Sequence, residues 1–71
     1  MRIAFSEEEK AAFLDRRGFQ IVRLVCEREE HIHGSRFQTV VYHEVVAVKG
    51  DLKLNIDVAF SNELHKALLQ L

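Results

Sequence analysis

The chain has 71 residues, a length at which folding buries only about 60% of the unfolded chain's surface and at which we expect one domain, not two. Hydrophobic residues make up 48% and charged residues 30%, with no proline, which is too apolar for disorder. The formal net charge of −1 excludes a global positive field that would attract nucleic acid or an anionic membrane. We therefore predict a single folded domain over residues 1–71.

Cysteine usage and hydropathy suggest where the chain resides. Cys26 is the only cysteine, so the sequence predicts neither an internal disulfide nor a cysteine-based zinc site, and we expect a cytoplasmic setting. The first ten residues are acidic and contain no apolar run, and no stretch of 18 apolar residues follows. We therefore expect neither a signal peptide nor a membrane span.

The first part of the chain is predicted to form a short extended segment, a helix and a strand. Apolar residues alternate over residues 1–5, as in a short edge strand. Ser6 and Glu9 have the spacing of a capping box, which predicts a helix start, and Gly18 is typical of a helix end. Aromatic and β-branched residues then predict a first strand over residues 19–30.

The second part predicts two further strands and a closing helix. A turn at Gly34 precedes a second strand over residues 36–49, and Gly50-Asp51 forms a two-residue hairpin loop. Strict alternation predicts a third strand over residues 52–60. Ser61 would cap a helix with one buried stripe: Leu64, Ala67, Leu68 and Leu71. The predicted fold class is α+β, in the order α-β-β-β-α, with a three-stranded antiparallel meander and the C-terminal helix on one face.

The two hairpin loops set the expected strand register. The loop at Gly50-Asp51 places Lys49 opposite Leu52. A turn at His33-Gly34 would place Arg23 opposite Glu44, an oppositely charged pair, although a wider loop would change this register.

One sheet face is then predicted to carry an apolar band that water alone would not cover. The candidate interface residues are Phe19, Ile21, Val25, Val40, Tyr42, Val46 and Val48. The closing helix can cover only one face of the sheet. If the first helix shares that face, the band marks an interface with a second copy or another protein, and a homodimer is the simplest case. The alternative is that the first helix and the extended N-terminal segment cover the band.

Four histidines raise the question of a metal site. His31 and His33 share one side of an extended segment, and Cys26 and His43 would be further ligands. In the predicted register Cys26 and His43 lie on the core face, whereas His31 and His33 project from the hairpin tip on the side away from that face. The four cannot converge, so we predict no metal and no cofactor, while a metal or anion at the tip stays open.

Two other pairs have the residue types of catalytic groups. Cys26 beside His43 resembles the start of a nucleophilic site, but apolar surroundings disfavour the thiolate. Glu44 and Asp57, adjacent in the predicted register, could serve in acid-base chemistry, but the neighbouring Arg23 explains them as a mixed-charge row. We predict no catalytic residue, no reaction and no small-molecule ligand.

The order helix, three strands, helix resembles that of double-stranded RNA binding domains and of HicA-type toxin ribonucleases. Those RNA binders carry a basic run at the start of the second helix, where residues 61–66 hold one lysine. The toxins place a glycine-serine-histidine segment at the first hairpin, where Arg36 follows Gly34-Ser35 here. No functional residue carries over. The expected function is a small non-catalytic interaction domain, and the alternative is an RNA-binding or toxin-like ribonuclease module with His43 or the His31/His33 tip as general base.

Overall fold

The structure, a computed structural model, describes residues 4–71. The elements in chain order are α1 (Glu7–Arg16), β1 (Gln20–His31), β2 (Phe37–Lys49), β3 (Leu52–Asn55) and α2 (Ile56–Leu69). The strands form one antiparallel sheet in the order β1-β2-β3. The predicted α+β class and α-β-β-β-α order are confirmed. Of the predicted N-terminal strand, residues 1–3 lie outside the described residues, and residues 4 and 5 belong to no strand.

Helix α1 begins and ends at the predicted signals. The Ser6 hydroxyl accepts from the Glu9 backbone N–H at 3.1 Å, and the Glu9 carboxylate accepts from the Ser6 N–H at 3.0 Å, which confirms the capping box. Gly18 has a φ of +88°, which a residue with a side chain rarely adopts. The Phe19 N–H donates to the Leu14 carbonyl at 3.1 Å, so the chain turns directly from α1 into β1.

The turn between β1 and β2 is one residue wider than predicted. The Ile32 N–H donates to the Arg36 carbonyl at 3.0 Å, so residues 33–35 form a three-residue loop. Gly34 lies at its centre with a φ of +58°, as three-residue hairpin loops require at one position. Glycine suits both loop lengths, so its presence alone does not decide between them.

The wider loop shifts the β1–β2 register by one residue. Arg23 lies opposite Val45, and the predicted pairing of Arg23 with Glu44 is wrong. Because side chains alternate between faces, the shift moves every β1 side chain to the other face relative to β2. We call the helix-covered side the first face, with Ile21, Arg23, Val25, Val41, His43, Val45, Ala47 and Leu54. The second face carries Val22, Leu24, Cys26, Val40, Tyr42, Glu44, Val46 and Val48.

Strand β3 is much shorter than predicted. Lys49 lies opposite Leu52, as predicted, but pairing ends where Asn55 meets Val46. The Asn55 side chain accepts from the Asp57 N–H at 2.8 Å and caps α2, so the second half of the predicted strand is helical.

The buried stripe of α2 therefore lies more than one helical turn closer to the N-terminus than predicted. The predicted cap, Ser61, is inside the helix, and of the predicted stripe Leu68 and Leu71 are exposed. The helical spacing instead buries residues that alternation had assigned to the strand: Ile56, Ala59 and Phe60.

Both helices pack on the first face. The core consists of Leu14, Phe19, Ala47, Ile56, Ala59 and Phe60. The rings of Phe13 and Phe60 meet edge to face at 5.3 Å, and Lys10 binds Asp57 at 2.8 Å, which joins α1 to α2. The prediction that the C-terminal helix packs on one face is confirmed, and α1 shares that face. No helix within residues 4–71 has the length and apolar character needed to cross a membrane.

The distal part of the β1–β2 hairpin extends beyond the helices. The core and the apolar residues packed against it include no residue from 22 to 44. The Cα radius of gyration is 16.1 Å, whereas a compact domain of this length would have about 11 Å. We call residues 25–43 the arm, and the remainder of the described chain the body.

Candidate functional site: an uncovered sheet face and strand edge

The register shift divides the seven predicted interface residues between the two faces. Phe19 is only 4% exposed and belongs to the core, Ile21 packs against that core, and Val25 lies on the first face beyond the helices. The other four share the second face, as predicted: Val40, Tyr42, Val46 and Val48. Val46 is only 3% exposed and is already buried in the single chain, whereas the other three are half-buried.

Strand β1 contributes a different set of residues to the second face. Val22, Leu24 and Cys26 join the four β2 residues, so the face carries a continuous apolar band with Glu44 at its centre. The predicted two-residue loop had placed these three on the core face. Among residues 4–71, the core cluster that both helices build lies on the opposite side of the sheet. Helix α1 therefore does not pack on the second face, whose apolar side chains are half-buried except Val46, which is buried.

The polar groups of the second face pair with one another. The Cys26 thiol donates to the Glu44 carboxylate at 3.8 Å, and the Arg28 guanidinium lies 5.2 Å from the Tyr42 ring centre. Arg28 also binds Glu30 at 2.8 Å. His43 lies on the first face and is exposed, so the predicted placement of Cys26 and His43 on one face is wrong.

The carboxylates considered for acid-base chemistry are not adjacent. Asp57 lies in the first turn of α2 and binds Lys10, whereas Glu44 is a strand residue on the second face. Arg23, predicted to pair with Glu44, binds Glu7 of α1 at 2.9 Å on the first face. These ion pairs join elements of the fold and do not form a cluster.

The histidines at the arm tip do not converge with other ligands. His31 ends β1 and stacks on Phe37 across the hairpin, with ring centres 4.7 Å apart, while His33 lies in the loop. Within residues 4–71, no three His, Cys, Asp or Glu side chains are grouped closely enough to hold a metal ion.

The outer edge of β2 is the second uncovered feature. The Ile32 to Arg36 bond begins the β1–β2 ladder, and hydrogen-bonded pairs alternate along an antiparallel ladder. Even-numbered β2 residues therefore bond to β1, while odd-numbered residues direct their N–H and C=O groups away from it. Ala47 and Lys49 use this outward side to pair with β3. Val45 lies beside Ile56, the residue that follows Asn55, the partner of Val46. The other four lie beyond the end of β3 and have no residue opposite them within the described part of the chain: Phe37, Thr39, Val41 and His43.

An open groove of about 410 Å³ lies where this edge meets the start of α2. Val45 and Ile56 supply its apolar lining, and Glu7, Glu44 and Asp57 supply carboxylates. The groove exists because the chain leaves the sheet at Asn55, one residue before β3 could pair with Val45. A long β3, as predicted from alternation, would have filled it.

No family model matches the chain, and no curated protein and no solved structure matches it significantly.

Proposed function

We propose that this protein is a small non-catalytic interaction domain that self-associates through the second face of its sheet. The observation that supports the proposal is the placement of both helices on the first face, which leaves an apolar band on the other side. The side chains of this band other than Val46 are half-buried and keep part of their surface in water, and contiguous apolar surface of this kind is typical of interaction sites. A twofold contact between copies requires only that this one surface be self-complementary.

The composition of the band favours a packed contact over a ligand site. Its β-branched and aliphatic side chains surround a single carboxylate, Glu44, which already accepts from Cys26. Tyr42, with Arg28 above its ring, provides the aromatic and cationic pair that is enriched at protein interfaces. The proposed contact residues are therefore Val22, Leu24, Val40, Tyr42 and Val48. The unpaired Cys26 supports our expectation of a reducing, cytoplasmic setting.

Mass in solution tests this proposal. A chain of 8.3 kDa should sediment at twice that mass or more at micromolar concentration. Leu24→Lys places an ammonium on the second face, where the long side chain can still reach solvent in the free chain, so the variant should fold and lose mass. Val25→Lys is the matched control, since the adjacent residue lies on the first face and is 68% exposed.

The control variant should keep the wild-type mass and the wild-type circular dichroism spectrum. A wild-type chain that sediments as a monomer at hundreds of micromolar would contradict self-association. Equal masses for Leu24→Lys and the wild type would contradict the assignment to the second face.

A further inference from the structure

We propose that the open edge of β2, residues 37–43, pairs antiparallel with the same edge of a second copy, about a twofold axis at Val40. This contact differs from the one through the second face, because it extends the sheet sideways instead of covering it. It rests on the outward-facing backbone groups of β2 and on the groove, and it does not depend on what covers the second face.

The two edges of the arm are unequally protected against pairing. The arm segment of β1 carries Glu27, Arg28, Glu29 and Glu30, and charged side chains are a common protection of edge strands. The free segment of β2 reads Phe-Gln-Thr-Val-Val-Tyr-His, with no Asp, Glu, Lys or Arg, no glycine and no proline. Segments of this composition pair readily with other strands. The unprotected edge is therefore the one that β3 leaves open.

The free segment is complementary to itself. Pairing about Val40 places Phe37 opposite His43 and Thr39 opposite Val41, so that all four outward-facing residues find backbone partners. On the other side of the ribbon, Val40 meets its own copy and Gln38 meets Tyr42. No like charges face each other, and a shift to another centre leaves some of the outward-facing groups unpaired.

The groove fits the end of a second arm. In this register Phe37 of the second copy lies opposite His43 on the first face, at the end of the groove that His43, Val45 and Ile56 line. Phe37 is 65% exposed in the single chain, so burying it there removes apolar surface from water. Arg36 of the second copy lies opposite Glu44, whose carboxylate also lines the groove, which supplies charge complementarity.

The arm also needs a third strand. A two-stranded ribbon is at best marginally stable in water, and the arm has no cover from the helices. Edge pairing would turn two such ribbons into one four-stranded sheet. Each arm tip would then lie against the body of the other copy.

Disulfide trapping tests the register. In a Cys26→Ser background, Val40→Cys should cross-link to itself in a glutathione buffer, since Cα atoms of a non-hydrogen-bonded pair are about 4.5 Å apart, within disulfide range. Phe37→Cys alone should not, because its copy lies about 20 Å away across six residue positions. A mixture of Phe37→Cys and His43→Cys chains should cross-link again. Val25→Cys, exposed on β1, is the control for random collision.

A proline scan tests the edge without cysteine chemistry. Val41→Pro removes an N–H that has no partner in the single chain, so the fold should persist while the edge contact weakens about tenfold or more, since two N–H groups are lost per pair. Val40→Pro removes an N–H that bonds to β1 and should disrupt the arm itself. Circular dichroism distinguishes the two effects.

The cross-linking is repeated in chains that also carry Leu24→Lys, so that failure of the edge contact can be distinguished from failure of the second-face contact. The edge proposal expects the cross-link at position 40 to persist there, whatever the mass shows about the second face. It is overturned if Val40→Cys cross-links no faster than Val25→Cys, as it would if the edge received a strand from another protein. An edge contact unaffected by Val41→Pro would overturn it as well.

Discussion

Single side chains at the helix starts fix where each helix begins. Ser6 and Glu9 satisfy each other's backbone N–H groups at the start of α1, and the backbone N–H of Ser6 holds the pKa of Glu9 below its ordinary value. Because the sequence spacing of a capping box is local, this contact could be predicted without knowledge of the fold.

The lowered pKa of Glu9 leads to a prediction about pH. A carboxylate whose folded-state pKa is depressed stabilises the fold above its ordinary pKa, and that contribution is lost as the pH falls through the lower folded value. Glu9→Gln should therefore lower the urea midpoint at pH 7, and its difference from the wild type should shrink below about pH 4. Glu8→Gln is the control, since Glu8 lies in the same first turn without the capping contact. A difference that is constant from pH 7 to pH 3 would contradict the prediction.

At the level of elements, the sequence predicted what local signals determine. The order of elements, the two-residue loop at Gly50 and the end of α1 at Gly18 all depend on residues close in sequence. The register of the first hairpin could not be predicted in this way, because Gly34 fits loops of two or three residues. One residue of difference in loop length changes which β1 side chains share a face with which β2 side chains. The missing members of the second face are a direct result.

The end of β3 could not be read from hydrophobic alternation alone. Apolar residues at positions 52, 54, 56, 58 and 60 fit a strand, whereas those at 56, 59, 60 and 64 fit a helix equally well. The capping contact of Asn55 and the burial of Phe60 against α1 favour the helix. The free edge of β2, which depends on this choice, was for that reason absent from the predicted site.

This reading predicts that Asn55 stabilises the start of α2. Asn55→Ala removes the acceptor of the Asp57 N–H and should cost about 1 kcal/mol of unfolding free energy, measured by urea denaturation. Asn62→Ala, an exposed substitution inside the same helix, should cost less or stabilise slightly, because alanine is the better helix former. Equal losses for the two variants would contradict a capping role of Asn55, because they would show no effect that is specific to the start of α2.

At the scale of the whole molecule, the chain has a packed body and an arm that contributes nothing to the core. Every core residue lies outside residues 22–44, and the molecule measures 54 Å along its longest axis and 19 Å along its shortest. The open edge of β2 lies on this arm, as do Val40 and Tyr42 of the second face, whereas Val22, Leu24 and Val48 belong to the body. Folding and edge pairing therefore depend on largely separate residues.

The separation predicts that the arm can be removed. Cys26 and Tyr42 form a hydrogen-bonded pair, so replacing residues 27–41 by Asn-Gly would close a two-residue hairpin of favourable geometry. We expect the shortened chain to unfold cooperatively in urea and to sediment at a lower mass than the full chain at the same concentration, because it lacks the edge residues 37–41, including Val40 of the second face. Replacing residues 33–35 by three other loop residues with glycine at the centre should leave both properties unchanged. Non-cooperative unfolding of the shortened chain would show that the body depends on the arm.

The early start of α2 also determines whether the outer edge of β2 pairs with a strand of its own chain or with another polypeptide. If residues 56–60 continued as a strand in the observed register, Phe60 would reach the position beside Val41 and the chain would close its own edge. With those residues coiled into a helix, the same position is left for another polypeptide. A substitution that favours the extended form after Asn55 would therefore compete with assembly without touching any residue of the proposed contact.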